Sequence, residues 1–524
     1  MEPAGEFTQG SGCAFVVGMA EKSYRAWNPG QSYLLPPSPL EWLPEGHLAY
    51  FILEIVTEFD LTAIEEEIQR KDARGERPYS PSMMVALMLY SYSTGRFSSR
   101  RIARGTYEDV ALRVIAGEEH PHFTTINQFR LEHWGTLAGL FVQGYQMCRK
   151  AGLVTLGQVA LDGTKIKAAA SKHKAMSYQR MGQDELRLRG EVEALLRRAQ
   201  QADDEEDRRY GPGQDREDLP AELARREQRL ERIRAAKAEL EKEAAAGRAA
   251  ELREQAAGQR VKADDESVRS DERKRARTRA EKAEQAAEEL KPEGSPVAKD
   301  EGQAGQQELP LHRVASELEG KPKPEAQRNF TDPESRIMVK DGAFIQAYNA
   351  QIVVDGASQV IIAQGVSNQS PDQEYLVPMV ERMVVICDQP PEALLADSGY
   401  FSQENVERLE GQGIEPFIAV ARESKSAVAP TGRSTPAQQI RVSMGEKLRE
   451  GAGKAIYARR KAIVEPVFGQ VEQGRGFRRF SQRGLEKVRN EWAFICLTHN
   501  LLKLFRKVVG QRPIARLTLA ARSG

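Results

Sequence analysis

The sequence contains few cysteines, no long apolar run and no net charge. Its four cysteines, Cys13, Cys148, Cys387 and Cys496, show no paired spacing, which argues against a zinc site or a disulfide framework and is typical of a reducing, cytoplasmic setting. No run of about eighteen apolar residues is present, so we expect no membrane span. Lysine and arginine total 76, as do aspartate and glutamate, so the whole-chain charge does not indicate a nucleic-acid partner.

The charge is nevertheless unevenly distributed along the chain. Between Lys454 and Lys507 there are 13 lysines and arginines but only 4 glutamates. Local fields, rather than the sum over the whole chain, govern phosphate binding. The C-terminal part of the sequence is therefore a candidate DNA-binding surface.

Changes in composition predict separate regions. Apolar spacing is helix-like in the first third of the chain, whereas short apolar runs alternating with helical patterns later predict an α/β fold with a mixed sheet. A stretch rich in Ala, Glu, Arg, Lys and Gln interrupts this sheet after its first strand. The predicted regions are a disordered leader (1–23), a helical domain (24–153), an α/β domain (154–180 and 325–508), a charged helical or coiled insertion ending in a flexible linker (181–324), and a tail (509–524).

Two helical segments carry more specific signals. "RFSSRRIARGTYEDVALRVIAG" predicts a Ser-capped helix with Arg100 and Arg101 at its basic start, and "HPHFTTINQFRLEHW" predicts a turn followed by another helix. This order is compatible with helix-turn-helix DNA binding; the alternative is a helical bundle with solvated arginines. In the insertion, heptad-like spacing predicts a helical hairpin or short coiled coil. The apolar residues with that spacing are Leu223, Leu230, Ile233 and Leu240.

Three acidic residues occupy positions that suit metal binding. "QVALD" and "LLAD" are strand-like runs that stop at Asp162 and Asp397, and Glu465 precedes Pro466 in a predicted helix. If the strands are neighbours, their carboxylates emerge together, which requires bound cations or raised pKa values. Mg²⁺ or Mn²⁺ suits such oxygen ligands, and two ions would activate a nucleophile on a phosphodiester. Alternatively, Asp162-Gly163 is a hairpin turn and Asp397 a helix cap or turn residue.

Several motifs, taken in order, resemble bacterial insertion-sequence transposases of the DDE class, and the insertion sequence 1182 family in particular. They are "PYSPSMMVALMLYSYSTGRFSSRRI", "VALDGTKIKAAASKHKAMSY", "LLADSGYFSQENV" and "RRKAIVEPVFGQVEQGRGFRRF". The resemblance covers residues 24–508, with the charged middle matching only as a variable insertion. It implies a ribonuclease-H-like catalytic domain in which Asp162, Asp397 and Glu465 form the Asp, Asp, Glu triad that binds metal.

The same resemblance implies how such a protein acts. Metal-bound water would cut each element end, and the released 3′-hydroxyl would attack target DNA. The implied cofactor is Mg²⁺ or Mn²⁺, as two ions. The implied partners are double-stranded DNA carrying terminal inverted repeats, target DNA, and a second copy of the chain in a synaptic homodimer. The expected location is the cytoplasm, on the nucleoid when DNA is bound. The alternatives are a decayed copy that only binds element ends and a ribonuclease-H-like nuclease without strand transfer.

Basic residues near these motifs are the candidate DNA contacts. They are Arg100, Arg101, Lys165, Lys167, Arg460, Lys461, Arg475, Arg478 and Arg479. Related elements carry a Tyr-Arg-Glu-Lys signature, and here Tyr457, Arg460 and Lys461 precede Glu465 at approximate spacing. The position seven residues after Glu465, where a lysine is often found, is Glu472. One of the three later arginines would then bind the phosphate, since arginine binds phosphate bidentately.

Overall fold

The computed structural model describes residues 41–70, 77–210, 221–290, 308–420 and 435–511. The predicted leader lies outside these residues, as does the predicted tail from residue 512 onward. None of the helices in the described ranges is both long enough and apolar enough to span a bilayer.

Helices form the described part of the N-terminal region. They are α1 (Leu48–Ile55), α2 (Thr62–Gln69), α3 (Pro81–Ser93), α4 (Ser99–Glu108), α5 (Val110–Ala116), α6 (Phe123–Glu132) and α7 (Trp134–Lys150). Pro81 starts α3, as its fixed φ favours. The single helix predicted after Gly95 is wrong, because Asp109 divides it into α4 and α5. Asp109 is extended, and its carboxylate accepts the backbone N–H groups of Ala111 and Leu112 at 2.9 and 3.2 Å, which caps α5.

The strands of the described chain form two sheets. They are β1 (Gln158–Lys167), β2 (Ala175–Ser177), β3 (Gln327–Asn329), β4 (Arg336–Lys340), β5 (Ala343–Asp355), β6 (Ile361–Ser367), β7 (Ala393–Ala396) and β8 (Glu415–Ile418). The larger sheet runs β5-β1-β7-β8, with β4 and β6 both pairing along the outer side of β5. Strands β1, β7 and β8 are parallel, and β5 is antiparallel to β1. Strands β2 and β3 pair only with each other.

This topology confirms the predicted mixed α/β, ribonuclease-H-like fold. Helices α11 (Leu376–Cys387) and α12 (Gln403–Gly411) connect β6 to β7 and β7 to β8, in the order that the sequence predicts. The short strands β2, β3 and β4 were not predicted. Strand β4 lies at the sheet edge, where Met338 is buried while its neighbours Ile337 and Val339 remain exposed.

The charged insertion is a bundle of long helices. It contains α8 (Tyr178–Tyr210), α9 (Ala221–Asp264) and α10 (Ser270–Glu289). Ion pairs join neighbouring helices, such as Lys237 to Glu185 at 3.0 Å and Arg260 to Glu284 at 2.7 Å. The four heptad-spaced residues of α9 are all buried, as their spacing predicts.

The end of the insertion was predicted to be a flexible linker, and the structure corrects this for residues 308–324. Leu309 is 2 % exposed and belongs to the main hydrophobic core, and Val314 packs against Leu240 of α9. Burial of these apolar side chains holds the segment against the folded chain. Residues 291–307 lie outside the described part of the chain.

The C-terminal helices connect the sheet to the N-terminal helices. They are α13 (Pro436–Arg449), α14 (Gly451–Phe468), a π-helical segment (Gly469–Gly474) that continues α14, and α15 (Leu485–Gln511). On α15, Phe494 contacts Tyr92 of α3 edge to face, with ring centroids 5.0 Å apart. Trp134 of α7 donates its indole N–H to the Lys487 carbonyl at 3.0 Å. The helical region and the sheet therefore share one hydrophobic core.

A buried histidine on α15 predicts loss of stability in acid. His499 is 1 % exposed, its Nε2 lies 2.9 Å from the Gln359 carbonyl, and burial lowers the pKa of its imidazole to about 3. Because the folded pKa lies below that of the unfolded chain, this contribution is full above about pH 6.5 and declines as the pH falls toward 3. We expect His499 alone to remove about 2 kcal/mol of stability between pH 7 and pH 5.

Urea unfolding at the two pH values measures this effect. The variant His499→Gln supplies an amide N–H in place of the imidazole and cannot be protonated. Its free energy of unfolding should therefore fall by about 2 kcal/mol less on acidification than that of the wild type. His173→Gln is the matched control, because His173 is exposed. Equal acid losses in His499→Gln and the wild type would contradict the expectation.

Candidate active site

Two of the three predicted acidic residues lie side by side. The parallel register pairs Ala160 of β1 with Leu395 of β7, so two residues further along the strands Asp162 lies beside Asp397. The strands are neighbours, as predicted. Asp162, however, does not end its strand or form a hairpin turn, because pairing with β5 continues through Gly163 to Lys167. Asp397 directly follows β7, and its carboxylate accepts the Gly399 N–H at 2.8 Å.

Asp162 lies where burial and neighbouring carboxylates disfavour its ionised form. Arg460 of α14 donates to Asp162 Oδ2 at 3.1 Å, and the two side chains are 11 % and 19 % exposed. Burial raises the pKa of Asp162 to about 6; Arg460 opposes this rise, whereas the charges of Asp397 and Asp372 add to it. A bound cation would relieve this cost, since opposite charge favours the ionised form of a carboxylate.

A hydrogen-bonded network supports the two aspartates from the opposite face of β1. Asp372, which follows β6, accepts from Lys165 at 2.9 Å, from Asn349 at 2.7 Å and from Gln351 at 3.0 Å. Tyr400, in the turn after Asp397, is buried and donates to the Gln351 side chain. Sequence reasoning missed Asp372, because no strand end or known motif marked it.

This network corrects one predicted DNA contact. Lys165 was expected to reach the DNA backbone, but it lies on the face of β1 opposite Asp162, where its ammonium is paired with Asp372 and its side chain is only 14 % exposed. The partner lies 207 residues away in the chain, so no local pattern could indicate it.

A side chain at Gly163 would collide with the hydrogen-bonded network around Gln351, so we expect substitution there to lower stability. A Cβ there would lie 2.2 Å from the Gln351 amide nitrogen, and that amide is fixed by Asn349, Asp372 and Tyr400. We expect Gly163→Ala to lower the free energy of unfolding by about 1–3 kcal/mol through overpacking.

The matched control for this change is Gly135→Ala on α7, where a Cβ meets nothing within 4 Å. Alanine there should be neutral or stabilising by up to about 1 kcal/mol. Denaturant unfolding of both variants provides the measurement. If Gly163→Ala is as stable as the wild type, Gln351 moves freely and does not hold the network together.

Glu465 is placed differently from the two aspartates. It lies on α14 with an exposed side chain, whereas Ile463, Val464 and Val467 of the same helix are buried. In the described ranges, no three acidic, histidine or cysteine side chains converge as ligands of one ion. The structure therefore brings Asp162 and Asp397 together, and the role of Glu465 remains a prediction from its motif.

The other predicted DNA-binding residues fall into two groups. The exposed ones are Arg100 and Arg101 on α4, Lys167 at the end of β1, Lys461 on α14, and Arg478 and Arg479 after the π-helical segment. Arg475 is turned inward: its guanidinium donates to Thr498 Oγ1 at 2.6 Å and to the Ile495 carbonyl, and burial lowers its pKa to about 10. The prediction that Arg475 contacts phosphate is corrected accordingly, because both of its terminal guanidinium nitrogens donate to α15.

Glu472, which departs from the related signature, lies on the Asp162 side of the sheet. One of its carboxylate oxygens accepts from Thr164 Oγ1 at 2.7 Å, and the other pairs with the Lys340 ammonium at 2.6 Å. Thr164 is two residues after Asp162, so the two side chains share one face of β1. The negative charge at position 472 is thus matched by a lysine from β4.

The fold and the site agree with comparisons to known protein families. A family model described as a transposase DDE domain matches residues 320–501, and one described as transposase domain DUF772 matches residues 38–132. No curated protein or solved structure matches the chain. The first match includes Asp397 and Glu465, while Asp162 lies between the two matched ranges. The pair of domains fits the architecture of the insertion sequence 1182 family, and the chain belongs to the DDE transposases of insertion-sequence type.

Proposed function

We propose that this transposase cuts the ends of an insertion sequence by divalent-metal-dependent phosphodiester hydrolysis and joins the 3′-hydroxyl ends to target DNA. The observation that carries the proposal is the pair of adjacent carboxylates, Asp162 and Asp397, in a setting where burial raises the pKa of Asp162 to about 6. Such a pair is stabilised by a hard divalent cation.

The donor set fits Mg²⁺ or Mn²⁺ in part. Asp162 and Asp397 supply carboxylate oxygens, and Glu465 is the proposed third ligand, exposed on α14 and open to DNA and solvent. When bound, the metal supplies an activated nucleophile and stabilises the leaving oxygen. Arg460, which pairs with Asp162, is the proposed phosphate contact of α14, since arginine can bind phosphate bidentately.

The proposed partners are double-stranded DNA with terminal inverted repeats, target DNA and a second copy of the chain, because joining two ends requires their synapsis. Exposed arginines on α4 support DNA binding by the helical region, where Arg100 also lies over the Phe123 ring at 5.0 Å. Binding should weaken steeply with salt if several phosphates are contacted. We propose that the protein associates with the nucleoid through these contacts.

A cleavage and joining assay tests the proposal. The full chain is mixed with duplexes carrying the element's own ends and a target plasmid, in Mg²⁺, in Mn²⁺ or in EDTA. Metal-dependent nicks together with joined products are the expected result. Binding without nicking would identify a decayed, DNA-holding copy, and cleavage without joined product would identify a nuclease that lacks strand transfer.

A further inference from the structure

A lysine that no sequence motif marks lies at the edge of the candidate site. The Lys340 ammonium is 2.6 Å from Glu472 Oε2 and 3.1 Å from Thr164 Oγ1, and its side chain is 27 % exposed. Lys340 is the last residue of β4 and precedes a tight turn in which Asp341 and Gly342 have φ values of 52° and 75°. Asp-Gly favours such a turn, which fixes the end of the strand.

Two cations therefore lie along the Asp162 face of β1. Arg460 is paired with Asp162, and Lys340 with Glu472 and Thr164. An ammonium group has three N–H donors, and these contacts use two of them. The third remains for a ligand, and the exposed fraction of the side chain gives a ligand access.

Glu472 lies in the π-helical segment Gly469–Gly474 and is more buried than its partner, with a side chain 14 % exposed. Its two oxygens are held by Thr164 and Lys340. Glu472 thus restricts the conformations of the flexible Lys340 side chain and holds its ammonium on the face of β1 that carries Asp162. Restraint of this kind lowers the entropy that a lysine loses when it binds a ligand.

We propose that Lys340 is a phosphate-binding residue of the active site and that Glu472 is the positioning residue that holds it there. This inference rests on the proposed function for its substrate, which is the phosphodiester backbone of DNA next to Asp162 and Asp397. The negative charge of Glu472 then has a role, which is to hold the cation that β4 supplies to this part of the site.

The first test measures DNA binding in EDTA, so that it does not depend on catalysis. Lys340→Met should weaken binding of an element-end duplex by about threefold to tenfold at 0.1 M salt and lower the slope of log K against log salt by about 0.9, the value for one phosphate contact. Lys321→Met is the matched control, since it removes the same charge from an exposed ion pair with Glu319 elsewhere. It should leave the slope unchanged.

The second test exchanges the two charges. Lys340→Glu and Glu472→Lys should each lower single-turnover nicking at saturating DNA by on the order of tenfold or more, because each misplaces the cation. The double variant Lys340→Glu/Glu472→Lys returns a cation to the same pair and should recover most of the rate. If the ion pair were purely structural, the double variant would recover stability, but Lys340→Met would have the same salt slope as the wild type.

The outcomes separate the two proposals. A wild-type slope and nicking rate in Lys340→Met would overturn the role of Lys340, as would a double variant as slow as the single variants despite wild-type thermal stability. If the wild-type chain binds element ends but does not nick them, the proposed function fails, and the slope measured in EDTA still determines whether Lys340 contacts phosphate.

Discussion

Replacing Asp397 by asparagine is expected to lower metal-dependent nicking of element ends by at least about a thousandfold, comparable to losing a central group that stabilises the transition state. Asparagine keeps the shape of the side chain and can still accept the Gly399 N–H, but it removes a negative charge from the pair with Asp162. Asp162→Asn should have a similar effect. Single-turnover nicking in Mg²⁺ and in Mn²⁺ measures the loss.

Stability measurements distinguish this loss from unfolding. Because burial and the charge of Asp397 raise the pKa of Asp162 to about 6, the ionised form of Asp162 costs stability, and this cost is complete above about pH 6. Removing the charge of Asp397 relieves part of it, so Asp397→Asn should not lower the melting temperature at pH 7.5. The affinity of Asp397→Asn for element-end DNA, measured in EDTA, should equal that of the wild type. Asp388→Asn is the matched control, since Asp388 is exposed and has a left-handed conformation that asparagine tolerates. Nicking by Asp397→Asn within about tenfold of wild type would remove Asp397 from the proposed metal site.

Replacing Trp492 by alanine is expected to lower the free energy of unfolding by about 3–5 kcal/mol, the range for large buried aromatic residues. Trp492 is fully buried, stacks on Phe477 with ring centroids 6.4 Å apart, and donates its indole N–H to the Gln351 carbonyl at 3.2 Å. It therefore packs α15 against β5, the strand that carries the network under the two aspartates.

Denaturant unfolding of Trp492→Ala and Trp492→Phe provides the measurement. Phenylalanine keeps most of the apolar contact and loses the hydrogen bond, so its cost should be about 1–2 kcal/mol. Equal costs for the two variants would show that the hydrogen bond, rather than the packed volume, accounts for the stability.

The strands that carry the site could be predicted because each is a short apolar run between turn residues. The run "AYNAQIVVD" and the "ALLA" of "EALLAD" are buried on both faces of the sheet, as their largely apolar composition indicates. The extension of β1 past Asp162 could not be predicted, since Asp-Gly favours a turn and only pairing with β5 keeps it extended. Tertiary pairing overrides the local preference at that point.

The partners of charged side chains were the least predictable part of the site. Lys165 and Arg475 are of the residue types expected to contact phosphate. In the structure, however, Asp372 binds Lys165 and α15 binds Arg475. The same holds for Glu472, whose lysine partner comes from a strand that was itself not predicted. A charge in a sequence indicates a need for a partner, and only the fold determines whether that partner is DNA or protein.

The helical insertion has a consequence for how the chain folds. It separates strands that must lie side by side: Thr164 of β1 and Lys340 of β4, which meet at the site, are 176 residues apart. Closing so long a loop is slow unless the intervening chain has already formed structure. Strands β2 and β3 pair at the base of the helices, where the Asn329 side chain donates to the Ser171 carbonyl at 2.8 Å across 158 residues. Local formation of α8, α9 and α10 would shorten the effective loop, since α8 begins directly after β2 and only residues 290–326 separate α10 from β3. The insertion would then bring the two halves of the sheet together during folding.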